Sequence, residues 1–337
     1  MQIQRNQQHD KLTAKPFVKW VGGKGQLIQT FEGLLPTHLE SIDKFTYVEP
    51  FVGGGAMLFF MLQKYRNICK AVINDMNENL ITAYKTVRDT PEKLVMRLAE
   101  IQHEYLSLQS DETRKGYYLE VRKDFNSKKL SDIDRSACLI FLNRTCFNGL
   151  YRENLKGEFN VPFGKYKNPT ICDERTIYAD SELLQGVEIL CGDFEQTVIH
   201  ATDNTFVYID PPYRPLDKTS SFNAYVKGGF DDNEQIRLKK FIDILTVKGS
   251  LIMLSNSDGK GRNPYDTFFD DLYKNYSIER VYASRSVNAK ADKRGKLTEL
   301  LIRNYCTPTH SANINNLQNK TNLNRNKYEQ STFKRTV

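Results

Sequence analysis

Phe45-Thr46-Tyr47-Val48-Glu49-Pro50-Phe51-Val52-Gly53-Gly54-Gly55-Ala56 reads as a short strand, a glycine turn and the opening of a helix that runs on through residues 57–65. An aromatic and β-branched run too short for a helix favours a strand, and glycines after it let a ligand approach the backbone closely. Other β-rich runs end in the same way, at small or acidic residues. These are 71–73 before Asn74-Asp75, 187–190 before Gly192-Asp193, and Phe206-Val207-Tyr208-Ile209 before Asp210. Further strands are expected at 250–254, 278–282 and 299–302. Strands alternating with helical segments predict an open α/β sheet, in which ligands bind at the carboxyl ends of the strands. A helix is expected from Asp231, because Asp231 and Glu234 have capping-box spacing and Leu238, Phe241, Ile242 and Leu245 share one face.

Between residues 77 and 171 the pattern turns helical, with helices expected at 86–105 and 132–141, then a Gly-, Asn- and basic-rich stretch to residue 167. The strands resume afterwards. The chain therefore reads as a sheet domain in two parts, 1–76 and 172–306, around an inserted, mainly helical domain at 77–171, with a disordered Asn-rich tail at 307–337. Residues 146–166 suggest a β-hairpin turning near Lys156-Gly157, with basic and amide side chains on both arms. Such a two-stranded ribbon fits the major groove of DNA.

Composition sets outer bounds. The 337 residues are 39% apolar and 11% aromatic, enough to bury a core, and a net charge of +7 agrees with a nucleic-acid partner without establishing one. No apolar run approaches the roughly 20 residues of a membrane span, and the Gln-rich start lacks the apolar centre of a signal peptide, so a cytoplasmic protein is expected. Six scattered cysteines without a C-x-x-C pair, and five histidines that cluster with none of them, predict reduced thiols and no metal site.

Two constellations carry chemistry. Asp210-Pro211-Pro212-Tyr213 follows a strand and combines a carboxylate, a carbonyl on Pro211 and an aromatic face. Both oxygens can accept from an exocyclic NH2, neither proline carries a competing N–H, and Tyr213 can stack on the ring of a flipped base. Two prolines can also simply end a strand. The glycine turn is followed, about twenty residues on, by Asp75 at the next strand end, where a carboxylate can accept from two ribose hydroxyls. That pair binds a nucleoside. A dinucleotide fingerprint would need glycine where Leu58 stands, so S-adenosylmethionine, which has no pyrophosphate, fits better than NAD.

With the glycine turn, Asp75, Gly192-Asp193-Phe194 and Asp210-Pro211-Pro212-Tyr213 in this order, the chain resembles the Dam-type DNA adenine methyltransferases, including their GATC-methylating members. The likeness runs from Lys15 to Tyr305. It includes Phe17-Val18-Lys19-Trp20-Val21-Gly22-Gly23-Lys24, then Tyr117-Tyr118 with Arg122, Phe125 and Asn126, and Phe147-Asn148-Gly149-Leu150-Tyr151-Arg152 through Tyr166. The resemblance implies a Rossmann-like S-adenosylmethionine-dependent sheet with an inserted target-recognition domain. It further implies that Trp20 and Lys24 contact the cofactor beside the turn of Phe51, Gly53 and Gly55, that Asp75 holds its ribose, and that Asp193 and Phe194 recognise its adenine, with Asp210 adjoining it.

The same resemblance makes Arg152 and Leu150 base readers with Pro162 beside them, Phe147 a wedge in the base stack with Asn148 near it, and Lys19 the contact to an outer guanine. Arg122, Asn126, Asn154 and Asn160 would meet phosphates, and Lys165 stands where many relatives carry Arg. The expected reaction is methyl transfer to the amino group of a flipped adenine in double-stranded DNA, within GATC, by Asp210, Pro211, Pro212 and Tyr213. A monomer suffices and no metal is needed. Alternatives at this point are a DNA-binding regulator that keeps the fold without turnover, and an amino-cytosine methyltransferase, although Ser is more usual than Asp at position 210 in the latter. Cytosine ring-carbon methylation would need a cysteine nucleophile, and none of the six cysteines follows a proline.

Overall fold

The computed structural model describes residues 13–306 apart from 21, 23, 26, 128, 215–229, 262 and 284–296. The expected loop at 215–230, apart from Phe230, and the tail at 307–337 lie outside the described residues. In chain order the elements are α1 (Ile28–Glu32), β1 (Phe45–Glu49), α2 (Ala56–Lys64), β2 (Ile68–Asp75), α3 (Glu78–Asp89), α4 (Pro91–Ser107), α5 (Asp111–Asn126) and α6 (Asp132–Thr145). Then come α7 (Glu174–Leu184), β3 (Val187–Cys191), β4 (Thr205–Ile209), α8 (Asp232–Val247), β5 (Leu251–Ser257), α9 (Phe268–Leu272), β6 (Ser277–Ala283) and β7 (Leu297–Arg303).

The strands form one sheet in the order β3-β2-β1-β4-β5-β7-β6. The first five run parallel, and β7 lies antiparallel between β5 and β6. Parallel strands covered on both faces read as continuous apolar runs, which is why Phe206-Val207-Tyr208-Ile209 is buried throughout. Side chains alternate between faces. Tyr47, Ile73, Phe206, Tyr208 and Met253 join the helices α2, α3, α4, α6 and α7 on one side. Val48, Val72, Val207, Ile209, Ile252 and Leu254 meet α8 and α9 on the other. From β1 the chain winds outward to β2 and β3, and from its other neighbour β4 to β5. The crevice between the carboxyl ends of β1 and β4 is thus the switch point at which open α/β sheets bind ligands.

The expected helix at 86–105 is two helices. Pro91 has no N–H to donate to residue 87, so α3 ends at Asp89 and Pro91 takes the first position of α4, where a missing donor costs nothing. The helix α5, with a Ser110–Thr113 capping box, belongs to the same helical stretch. Leu80, Tyr84 and Val87 of α3 pack in one continuous core with Tyr47 and Ile73 of the sheet, so the apolar interior crosses residue 77 without a break. Asp231 caps α8 as its sequence predicts, accepting from the N–H groups of Asn233 and Glu234.

Candidate active site

At the tip of β1 the chain turns through Gly53 (φ 48°) and Gly55 (φ 75°), and Gly55 opens α2 in the left-handed conformation. A side chain would not fit. A Cβ on Gly53 would stand 2.9 Å from Trp20 Cδ1, and one on Gly55 would run into the Tyr84 hydroxyl. That hydroxyl donates to the Gly53 carbonyl at 3.0 Å. Asp75, at the tip of β2, accepts from Gly53 N at 3.0 Å through Oδ2 and from Asn77 N at 2.9 Å through Oδ1. Burial raises the Asp75 carboxyl, and those N–H groups pull it back down.

Asn74 joins three strand tips and was not anticipated from the sequence. Its amide donates to Pro50 O at 3.0 Å and Gly192 O at 2.9 Å, and its oxygen accepts from Gln196 at 2.7 Å. Phe51 packs on Phe194, with centroids 5.2 Å apart, and on Phe230 at 5.7 Å. Phe194 itself is buried, while Asp193 is exposed and receives Arg237 Nη2 at 2.6 Å. The Arg237 guanidinium also lies 4.3 Å from the centre of the Phe194 ring.

Asp210 sits at the tip of β4, beside β1. Burial pushes its carboxyl up to about 6, against the pull of Lys24, with Glu299 adding to the rise. Lys24 Nζ lies 3.2 Å from Asp210 Oδ1 and 3.3 Å from Glu299 Oε2, and it donates to the Tyr213 hydroxyl. Tyr213 in turn donates to Glu299 Oε1 at 2.7 Å. The turn is held from behind, since buried Gln235 of α8 donates to Pro212 O at 3.4 Å and accepts from Asn256 of β5 at 3.1 Å. Arg214 fixes the chain leaving the turn, with a fork on Asp232 at 2.5 and 3.0 Å and a bond to Asp266 at 2.8 Å. Glu299 was missed in the sequence. The signal available was a carboxylate at the head of an otherwise apolar strand run, Glu299-Leu300-Leu301-Ile302.

The second group of predicted residues lies on a ribbon. Phe147 N donates to Pro162 O at 2.8 Å, Asn160 N to Arg152 O at 3.0 Å and Asn154 N to Glu158 O at 2.9 Å, and Gly157 (φ 73°) sits in the turn. Asn126 of α5 grips the far arm by both amide groups, donating to Phe159 O at 3.0 Å and accepting from Phe159 N at 2.8 Å. Asn154 folds the turn by accepting from Lys156 N and Glu158 N. Asn160 accepts from Arg152 Nε at 2.7 Å, and Arg122 donates to Val161 O at 3.2 Å. These four side chains hold the ribbon in shape. Phe147 is 52% exposed, Asn148 is exposed with φ 56°, and Pro162 and Lys165 are exposed, while Leu150 is half-buried.

Two contacts tie the ribbon to the strand tips. Trp20 stacks on Tyr151, centroids 5.0 Å apart and planes 24° from parallel. Asn143, buried in α6, accepts from Lys19 N at 2.7 Å and donates to Lys19 O at 2.8 Å and Gly149 O at 3.1 Å. Close packing at this clamp requires Gly149 (φ 62°), where a Cβ would meet Lys19 Cδ at 2.5 Å. Among the described residues no cluster of His, Cys, Asp and Glu is placed to hold a metal, no helix is long and apolar enough to cross a membrane, and the six cysteines form no disulfide.

The strand order, with its crevice at the switch point, defines a Rossmann-like open α/β sheet, the fold class of this protein. On that fold, a model of the D12 class N6 adenine-specific DNA methyltransferases matches residues 20–287, and the chain belongs to that family, which implies S-adenosylmethionine as the methyl donor. The type II methyltransferase M.MjaIII of Methanocaldococcus jannaschii is 48% identical over 298 residues, covering 87% of this chain and 100% of that protein. M1.LlaDCHI of Lactococcus lactis is 40% identical over 88% of this chain and 98% of its own length. The DNA adenine methylase of Escherichia coli K12 is 31% identical over 85% of this chain and 94% of its own length. The amino-cytosine alternative is thereby set aside in favour of adenine.

Proposed function

We propose that this enzyme methylates N6 of an adenine flipped out of double-stranded DNA, within GATC, and that the crevice between the tips of β1 and β4 is where transfer occurs. One observation carries the reading. Asp210 ends the strand next to the one that carries the glycine turn, so the amino-group acceptors adjoin the backbone bared for a nucleoside.

The residues at the β1, β2 and β3 tips fit S-adenosylmethionine, which when bound supplies an electrophilic methyl group on a sulfonium. Gly53 and Gly55 expose backbone to it, Asp75 keeps acceptor capacity for ribose hydroxyls, and Trp20, Phe51 and the Asp193-Phe194 turn wall the site, with Lys24 and Asp210 at its inner end. An adenine amino nitrogen is a poor nucleophile because its lone pair is delocalised into the ring. Asp210 and the Pro211 carbonyl, accepting from its two N–H bonds, favour the geometry in which that lone pair points out of the ring plane. Tyr213 offers a stacking face, and Pro212 keeps competing donors away. An Asp210 carboxyl near 6 is mostly ionised at neutral pH and lies beside the proton that must leave.

Flipping a base costs a few kcal/mol and leaves a gap in the stack. Exposed Phe147 with Asn148 is suited to fill it. Lys19, Leu150, Arg152, Pro162 and Lys165 face the duplex in this reading, and Arg122, Asn126, Asn154 and Asn160 meet its phosphates while also keeping the ribbon shaped for the major groove. The segment 77–171 is the target-recognition part and the remainder carries the chemistry. The test is sequencing plasmid DNA from an expressing strain for methylated adenines. N6-methyladenine at GATC, absent with Asp210→Ala, is the expected result; unmodified adenines, or the same pattern in the variant, would overturn the proposal.

A further inference from the structure

An ammonium removed from water must meet counter-charges and acceptors for its three N–H groups. Lys24, only 4% exposed, meets two carboxylates, Asp210 Oδ1 at 3.2 Å and Glu299 Oε2 at 3.3 Å. It also donates to the Tyr213 hydroxyl and lies 4.6 Å from the centre of that ring. Glu299 arrives from β7, opposite Ser257 of β5. Both its oxygens are engaged, Oε1 by the Tyr213 hydroxyl at 2.7 Å and Oε2 by Lys24 and by Ser255 Oγ at 3.3 Å.

We propose that Glu299 is a positioning residue for methyl transfer, dividing the Lys24 charge between two carboxylates and anchoring Tyr213, so that Asp210 remains an acceptor for the substrate amino group. The inference deepens the reading of this site and rests on it. Without the second carboxylate, Lys24 would close on Asp210 alone. An oxygen committed to a full ion pair is a poorer acceptor for a neutral N–H, and the Tyr213 ring would lose one of its anchors.

The titratable groups facing Asp210 are Lys24, Glu299 from β7, Tyr213 in its own turn, Tyr208 on β4 and Glu49 at the tip of β1. Burial drives Tyr208 and Glu49 toward their neutral forms, leaving Lys24 and Glu299 as the charges that set how Asp210 titrates. Lys24 draws the Asp210 carboxyl down and Glu299 pushes it up. Neutralising Glu299 therefore lowers the pH at which Asp210 becomes ionised.

The test is single-turnover methyl transfer from labelled S-adenosylmethionine to unmethylated plasmid DNA between about pH 5 and 9, for the wild type and Glu299→Gln. The expected result is an acid limb about 1 unit lower in the variant, with a plateau rate reduced about tenfold and a half-saturating DNA concentration changed less than about twofold. Glu299→Asp, which keeps the charge but withdraws it by one methylene, shifts the limb the same way by less, and decides the matter if the Gln variant fails to fold. A uniform loss at every pH with the limb unmoved, or an unchanged rate, would overturn the inference. A wild type that transfers no methyl group to adenine would instead overturn the reading of the site itself.

Discussion

Arg152, the base reader of the proposed function, has a braced side chain. Its Nε is held by Asn160 Oδ1 at 2.7 Å across the ribbon, so the guanidinium is presented from a fixed stem rather than a floppy one. A bidentate contact to guanine gains from such preorganisation. Arg152→Ala is expected to cost about 1–3 kcal/mol of discrimination at one base pair, measured as kcat/KM on GATC duplexes against duplexes altered one position at a time. Equal loss on every duplex would remove the reading role. The residues proposed to carry chemistry were legible because their types are demanding. Asp210-Pro211-Pro212-Tyr213 and the glycine turn need particular backbones, whereas Glu299 and Asn143 are common residue types whose significance lies in what packs against them.

At the level of elements, several contacts join the N-terminal segment, α6 and α7 into a frame for the strand tips. Asp180 of α7 is fully buried, and its Oδ1 accepts from Lys15 N at 3.0 Å while Oδ2 has no hydrogen-bond partner. Burial pushes this carboxyl up to about 8, opposed by the Lys15 N–H. The folded protein thus holds this proton more tightly than the unfolded chain. The stability so contributed is present at low pH and is lost as pH rises from about 4 through 8. Asp180→Asn should remove that loss and be the more stable protein at about pH 9 by at least roughly 1 kcal/mol. Thermal melts of both proteins from about pH 5 to 9 check this, and parallel curves would refute it. Strand positions were readable from β-branched and aromatic runs alone. The break between α3 and α4 was not read although Pro91 signals it, because the apolar periodicity continues across the proline.

For the whole molecule, the excess of basic residues matters through where it lies. Lys19, held to the ribbon through Asn143 and lying 5.5 Å from the centre of the Tyr166 ring, joins Arg152 and the exposed Lys165 there. DNA affinity should therefore fall steeply with salt, and Lys165→Ala should reduce the slope of log K against log salt by about 1. Binding of S-adenosylmethionine should be unaffected, and equilibrium titrations at several salt concentrations measure both; an unchanged slope would place Lys165 off the duplex. By itself the sequence determined the α/β class, the strand tips at which the proposed site lies, the adenine methyltransferase family and the approximate place of the ribbon. Each of these depends on local pattern, on turn residues with special backbones, or on motif order along the chain. Only the tertiary structure decided that Lys24, Asp210, Tyr213 and Glu299 form one charge cluster, that Asn143 locks Lys19 to the ribbon, and that one core runs from the sheet into α3. Those depend on antiparallel β7 lying beside β5 and on helices returning over the sheet. Contacts between residues dozens to hundreds of positions apart leave no periodic trace in a single sequence.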